Sequence, residues 1–121
     1  METSSNPLTI VPEITQFVAE AKRVNSNAIT IIDNTYATPL LVKPVLLGVD
    51  MVLHSMTKYM NGHGDALAGI IVSNSKSLMA AVRQASIDFG AVLSPWDAWM
   101  VQRGLRTLGV RMEAIGAFFI A

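Results

Sequence analysis

Two short apolar runs, residues 28–32 and 50–54, each stop at side chains suited to chemistry rather than packing. Asp33 follows the first, and Ser55-Met56-Thr57-Lys58 follows the second. The first run is β-branched and has no polar alternation, the pattern of a strand buried on both faces in a parallel sheet. A strand at 50–54 and a third at 68–73 follow, with a glycine-containing polar loop at 55–65 between them. Apolar residues at Val11, Ile14, Phe17, Val18, Ala21 and Val24 keep helical spacing, which predicts a helix over 11–24 with Pro12 in its first turn. A turn at 34–39 and a short helical piece at 42–47, closed by Gly48, come next. Further helices are expected at 75–89, at 94 onward and at 105–119. In the second of these Ser94 caps, Pro95 takes the first position and Asp97 closes a capping box. Gly104 marks a break or a close approach. Leu108, Met112, Ile115 and Phe119 share one face of the last helix.

This order gives an α/β fold with a mostly parallel sheet flanked by helices. Ligands of such sheets gather beyond the carboxyl ends of the strands, where Asp33 and the 55–58 segment both fall. The composition agrees: of 121 residues 51% are hydrophobic and 15% charged, enough for a buried core and too apolar for disorder. The formal net charge is zero, so no basic excess points to nucleic acid or to an anionic membrane. The chain has no cysteine, which rules out disulfides and thiolate metal sites. No apolar run approaches the ~18 residues of a membrane span. The first seven residues do not resemble a signal peptide, and the apolar 114–121 stretch reads as cut off.

A lysine amine condenses with an aldehyde only when deprotonated, and burial or a nearby cation favours that form. Hydroxyls and loop N–H groups hold phosphate. A carboxylate can keep a pyridine nitrogen protonated. Lys58, the pair Ser55 and Thr57, and Asp33 are thus the parts of a pyridoxal phosphate (PLP) site. Each also has a plain reading: a solvated lysine, hydroxyls in a turn, and an acid that caps a strand end. His54 and His63 are nine residues apart, have no metal-ligand spacing and read as structural; no metal is expected. Gly62-His63-Gly64 lacks the third glycine of a dinucleotide fingerprint. Trp96, Trp99, Phe118 and Phe119 read as core or subunit interface, and Arg103, Arg106 and Arg111 as surface or interface charges.

The segments DNTYATP at 33–39 and GVDMVLHSMTKYMNGHGD at 48–65 resemble the signature of the Cys/Met-metabolism PLP enzymes, which include methionine γ-lyase, cystathionine γ-synthase and the cystathionine lyases. ETSSNP at 2–7, LSPWDAW at 93–99, RGLRTL at 103–108 and RME at 111–113 extend the resemblance over nearly the whole chain. It implies part of the large PLP-binding domain of a fold-type I (aspartate aminotransferase-like) enzyme over 1–121, without the N-terminal segment and the C-terminal small domain. It implies Lys58 as the Schiff-base lysine and proton shuttle, Asp33 on the pyridine nitrogen, Ser55 and Thr57 on the phosphate, and Asn6 near the phenolic oxygen. Met56 departs from the family pattern, which has a smaller residue there; a flexible thioether suits a gap in the core.

The implied activity is carbon–sulfur lysis of a sulfur amino acid such as methionine, cystathionine, homocysteine or cysteine. The loop at 61–65 and the stretch 90–95 stand nearest to methionine γ-lyase. The alternatives are γ-replacement, as in cystathionine γ-synthase, and a truncated, inactive fragment. The resemblance further implies a cytoplasmic homotetramer whose sites are shared between subunits. The stacking tyrosine, the glycine-rich phosphate turn and the arginine for the substrate carboxylate would lie outside these 121 residues.

Overall fold

The computed structural model describes residues 1–120, with side chains described to residue 117. Phe118 and Phe119, placed by sequence in an aromatic cluster and, for Phe119, on a helix face, therefore lie outside the described side chains. The elements run α1 (Ile14–Val24), β1 (Ile31–Asp33), α2 (Thr38–Leu41), a 3-10 turn (Pro44–Leu47), β2 (Met51–Ser55), β3 (Gly69–Val72), α3 (Lys76–Asp88), α4 (Pro95–Leu105) and α5 (Leu108–Ile120).

Helix α1 starts at Ile14, three residues later than its periodicity predicts, so Pro12 lies before the helix rather than in its first turn. Val11 precedes a proline, which steers it away from helical backbone, and it is exposed, so no burial offsets that preference. Lys22 and Arg23 occupy the last turn of α1, where cations complement the helix dipole. Gly48 ends the 3-10 turn at φ +88°, a conformation that favours glycine. At α4 the expected cap is present: the Asp97 N–H donates to Ser94 Oγ at 3.0 Å, and the Ser94 hydroxyl donates to the Asp97 carboxylate at 2.6 Å.

The sheet has the order β1-β2-β3. Strands β1 and β2 are parallel, with Ile32 opposite Val52 and Asp33 opposite Leu53. Strand β3 is antiparallel to β2, with Ser55 opposite Gly69, so the sheet is mixed rather than mostly parallel. A parallel return needs a crossover, usually a helix, whereas residues 56–68 form turns and fold back at the same sheet end. Residues 1–3 run beside β1 on its other edge. Thr3 donates to the Asp33 carbonyl and Asp33 donates to that of Met1, both at 2.9 Å.

One face of β1 and β2 is covered. Ile32 and Val52 are fully buried against Ile14, Phe17 and Val18 of α1. The other face carries Ile31, 46% exposed, with Leu53 and Ile71. Strand β1 is therefore buried on one face, not on both. Alternate residues of a strand point to opposite sides, and the packed helix covers one side only. An open apolar groove of about 960 Å³ lies on the uncovered side, between Leu53 and Ile71 and the Met79, Val82 and Phe89 side chains at α3.

A second core gathers Met56, Met60, Ala66, Met100, Val101, Leu108 and Met112 under the 56–68 loop. Met56 is thus core. Gly104 makes the close approach: a Cβ there would stand 2.2 Å from the Asn61 carbonyl oxygen.

At the amino end of the sheet Asp50 accepts from the Thr30 N–H at 2.7 Å, the Thr30 hydroxyl at 2.8 Å and Lys22 at 2.9 Å. The Thr30 N–H first, and Lys22 after it, hold its carboxyl down at about 2. That contribution to stability is present above the ordinary carboxylate value and lost as pH falls toward 2. Among the described residues no helix is long and apolar enough to cross a membrane.

Candidate active site

Parallel pairing brings the carboxyl ends of β1 and β2 to one edge of the sheet, and with them Asp33 and Ser55. Ser55 lies two positions beyond Leu53, which is opposite Asp33, so both site side chains rise from the uncovered face. His54, between them in register, points into the covered core.

Thr35 joins the two. Its N–H donates to Asp33 Oδ1 at 2.8 Å, and its hydroxyl oxygen accepts the Ser55 N–H at 2.7 Å. Thr35 is itself buried, and the two bonds of this link are part-buried. Nothing in the sequence reading assigned it a role; its one signal was its place inside the DNTYATP segment. Among the described residues neither Asp33 Oδ2 nor Ser55 Oγ makes a hydrogen bond.

The chain then turns. Lys58 N–H donates to the Ser55 carbonyl at 3.3 Å, Asn61 N–H to that of Met56 at 2.9 Å and Gly62 N–H to that of Lys58 at 2.7 Å. Thr57 is tied to Ala68 at both ends: its hydroxyl faces the Ala68 carbonyl at 3.3 Å and accepts the Ala68 N–H at 3.1 Å. Unlike Ser55, Thr57 would have to rotate its O–H away from Ala68 to donate to an anion.

Lys58 is exposed and, among the described residues, its amine has no hydrogen bond or ion pair. It lines an open cleft of about 610 Å³ with Tyr36, Tyr59, Gly62, Arg111 and Ile115. Tyr36 and Tyr59 meet edge to face with ring centroids 6.2 Å apart. Sequence reasoning missed both tyrosines as cleft residues.

Asn6 is exposed, and its N–H donates to the Glu2 carboxylate at 3.1 Å. Glu2 pairs in parallel with Asp33, so Asn6, four residues on, belongs to a segment heading past the carboxyl end of β1. No hydrogen bond joins Asn6 or the Lys58 side chain to Asp33 or Ser55 among the described residues.

His54 is buried. Desolvation lowers its pKa, opposed by the Asn34 backbone and the Asp33 charge, and its Nδ1 has no partner among the described residues. That is a core histidine. His63 is exposed and its Nδ1 lies 2.7 Å from the Asn61 carbonyl oxygen. Trp96 and Trp99 stack on each other at 5.4 Å but are exposed, so they belong to the surface rather than the core. Arg103 lies over Trp99 and pairs with Asp65 at 3.1 Å, as a surface charge should. Arg111, expected as a surface or interface charge, is half-buried, and its guanidinium is directed at backbone carbonyls of the Lys58 turn and of α4.

An acid, a free hydroxyl and an unpaired amine at one sheet edge form a set that can engage a cationic ring nitrogen, an anion and a carbonyl carbon. The sequence model of the family described as Cys/Met metabolism PLP-dependent enzyme matches residues 1–118. Cystathionine beta-lyase of Lactococcus lactis subsp. cremoris is 50% identical over 116 residues, covering 96% of this chain and 30% of that protein. L-methionine gamma-lyase of Fusobacterium nucleatum subsp. polymorphum is 42% identical over 115 residues, covering 93% and 29%. The crystal structure of cystathionine gamma synthase from Xanthomonas oryzae pv. oryzae, in complex with aminoacrylate and cysteine, superposes with a TM-score of 0.87 at 41% identity, covering 91% of this chain and 28% of that one. The chain thus spans about 30% of the length of the curated relatives it matches. With a match over almost every residue and a shared fold, this chain belongs to the Cys/Met metabolism PLP-dependent enzyme family.

Proposed function

We propose that this chain is part of the large, cofactor-binding domain of a PLP-dependent carbon–sulfur lyase acting by α,γ- or α,β-elimination on a sulfur amino acid, in the manner of methionine γ-lyase. The observation that carries this reading is the single sheet edge where Asp33 and Ser55 arrive on parallel strands with Thr57 and Lys58 immediately after. The residues fit the group. Ser55 Oγ, Asp33 Oδ2 and the Lys58 amine are unspent among the described residues, and they match its phosphate, ring nitrogen and aldehyde. When bound, PLP acts as an electron sink for the bond broken at the substrate α-carbon.

Lys58 Nζ would hold the cofactor by its aldehyde carbon and, once the substrate amine had displaced it there, would take and return the proton of the substrate α-carbon. The Asp33 carboxylate, oriented by the Thr35 N–H, would keep the proton on the ring nitrogen. Ser55 would donate to the phosphate, and Thr57 would join it by turning its hydroxyl from Ala68. Asn6 serves the phenolic-oxygen side. The assembled enzyme would be a cytoplasmic homotetramer, and these 121 residues, about 30% of the length of the relatives, would be inactive by themselves.

Borohydride trapping of the full polypeptide that carries this chain, with peptide mapping, tests the assignment: the adduct should sit on Lys58. Lys58→Ala should lower turnover by at least about a thousandfold. An adduct on another lysine refutes the reading. Incubation with methionine, cystathionine and an activated homoserine ester identifies the reaction. Elimination releases a 2-oxo acid and ammonia together with the sulfur fragment. Likeness to a solved cystathionine gamma synthase supports γ-replacement as the second reading, under which the homoserine ester and cysteine would give cystathionine.

A further inference from the structure

We propose that Arg111 is the positioning residue for Lys58: its guanidinium clamps the turn that carries the lysine by holding the carbonyls on its C-terminal flank. This rests on the reading of Lys58 as the cofactor-bearing lysine.

Arg111 stands on α5, far from Lys58 in sequence. Its Nη1 donates to the Tyr59 carbonyl at 2.6 Å, and its Nη2 lies 3.5 Å from that of Met60. Nη2 also donates to the Gly104 carbonyl at the end of α4 at 2.8 Å, and Nε to the Thr107 hydroxyl at 3.0 Å. Among the described residues it makes no ion pair. A guanidinium directed wholly at backbone oxygens and one hydroxyl acts as a clamp rather than as a charge partner, and charge-assisted bonds are the stronger kind.

The surroundings are shaped for it. A Cβ at Gly62 would lie 2.2 Å from Arg111 Nη1, and one at Gly104 equally close to the Asn61 carbonyl oxygen. Two positions without side chains let the turn and the two helices close around the guanidinium. Gly62, in turn, donates to the Lys58 carbonyl.

Lys58 is therefore fixed on both sides. Thr57 is bound to Ala68 before it, and Tyr59 is bound to Arg111 after it. The lysine amine ends a flexible four-carbon stem, so where it can reach depends on how firmly its Cα is held. A displacement of about 1 Å by a distant substitution can cost on the order of a hundredfold in reactivity.

The test uses the full polypeptide that carries this chain, with Arg111→Met, Arg111→Lys and Ile14→Ala. The last variant weakens the other core without touching the turn. Amide hydrogen exchange of the cofactor-free protein should rise at Asn61 and Gly62 by about tenfold more than at Ile32 in Arg111→Met. The rate at which added PLP becomes borohydride-trappable on Lys58 should fall by about tenfold. Arg111→Lys, with donors but no planar fork, should fall between Arg111→Met and the parent in both measures. Ile14→Ala should change neither below its melting transition. Equal losses of attachment in Arg111→Met and Ile14→Ala, or unchanged exchange at Asn61 and Gly62, would overturn the role of Arg111 alone. Failure of the unsubstituted protein to give an adduct on Lys58 would overturn the Lys58 reading and this inference with it.

Discussion

Thr35 is where the candidate acid and the candidate anion donor meet. Thr35→Val keeps the shape but removes the hydroxyl acceptor, leaving the part-buried Ser55 N–H unpartnered. We expect it to cost about 1–3 kcal/mol, read from urea unfolding, with Thr35→Ser recovering most of the loss. His54 gives the protein a pH dependence of its own. Burial holds its imidazole below the usual value of 6.5, so the unfolded chain takes up the proton at higher pH than the native one does. The native state therefore keeps this stability above that value and loses it as pH falls below. Between about pH 7 and about pH 5 the melting temperature should drop, and His54→Gln should flatten the slope. Lys58, Asp33 and Ser55 were legible because each sits where a strand pattern stops. Arg111 was not: spacing on a helix does not reveal which carbonyls stand opposite it some fifty residues away in the chain.

Among the elements, α4 was the most legible, because Ser94, Pro95 and Asp97 encode its start locally. The start of α1 was misread because hydrophobic periodicity ran on through Val11, which is exposed. Two glycines of the C-terminal helices, Gly104 and Gly109, should answer oppositely to a methyl group. Gly104→Ala pushes a Cβ into the Asn61 backbone and should destabilise by about 2 kcal/mol or more. Gly109→Ala meets nothing within 4 Å in α5 and should stabilise by about 0.5–1 kcal/mol, since alanine restricts the unfolded chain and favours helix. Thermal melts of the two variants side by side check both signs.

At the scale of the whole molecule, the uncovered sheet face is the dominant feature. Ile31, Leu53 and Ile71 on that face, and Phe89 at its groove, present a contiguous apolar surface that a folded protein ordinarily covers. The 121 residues by themselves should associate and bind a hydrophobic dye. Light scattering and dye fluorescence would show it, and both signals should fall in Leu53→Ser/Phe89→Ser. A dispersed, dye-silent chain would mean the face is covered in solution. The family, the α/β class and the candidate site were carried by the sequence alone, since strand ends, caps and the ordered motif are local patterns along the chain. Strand β3 reversing direction, one sheet face staying bare, Thr35 linking Asp33 to Ser55 and Arg111 gripping the Lys58 turn were decided only by the tertiary structure. Each depends on which groups distant in the chain come within hydrogen-bonding or packing distance, and no local pattern encodes that.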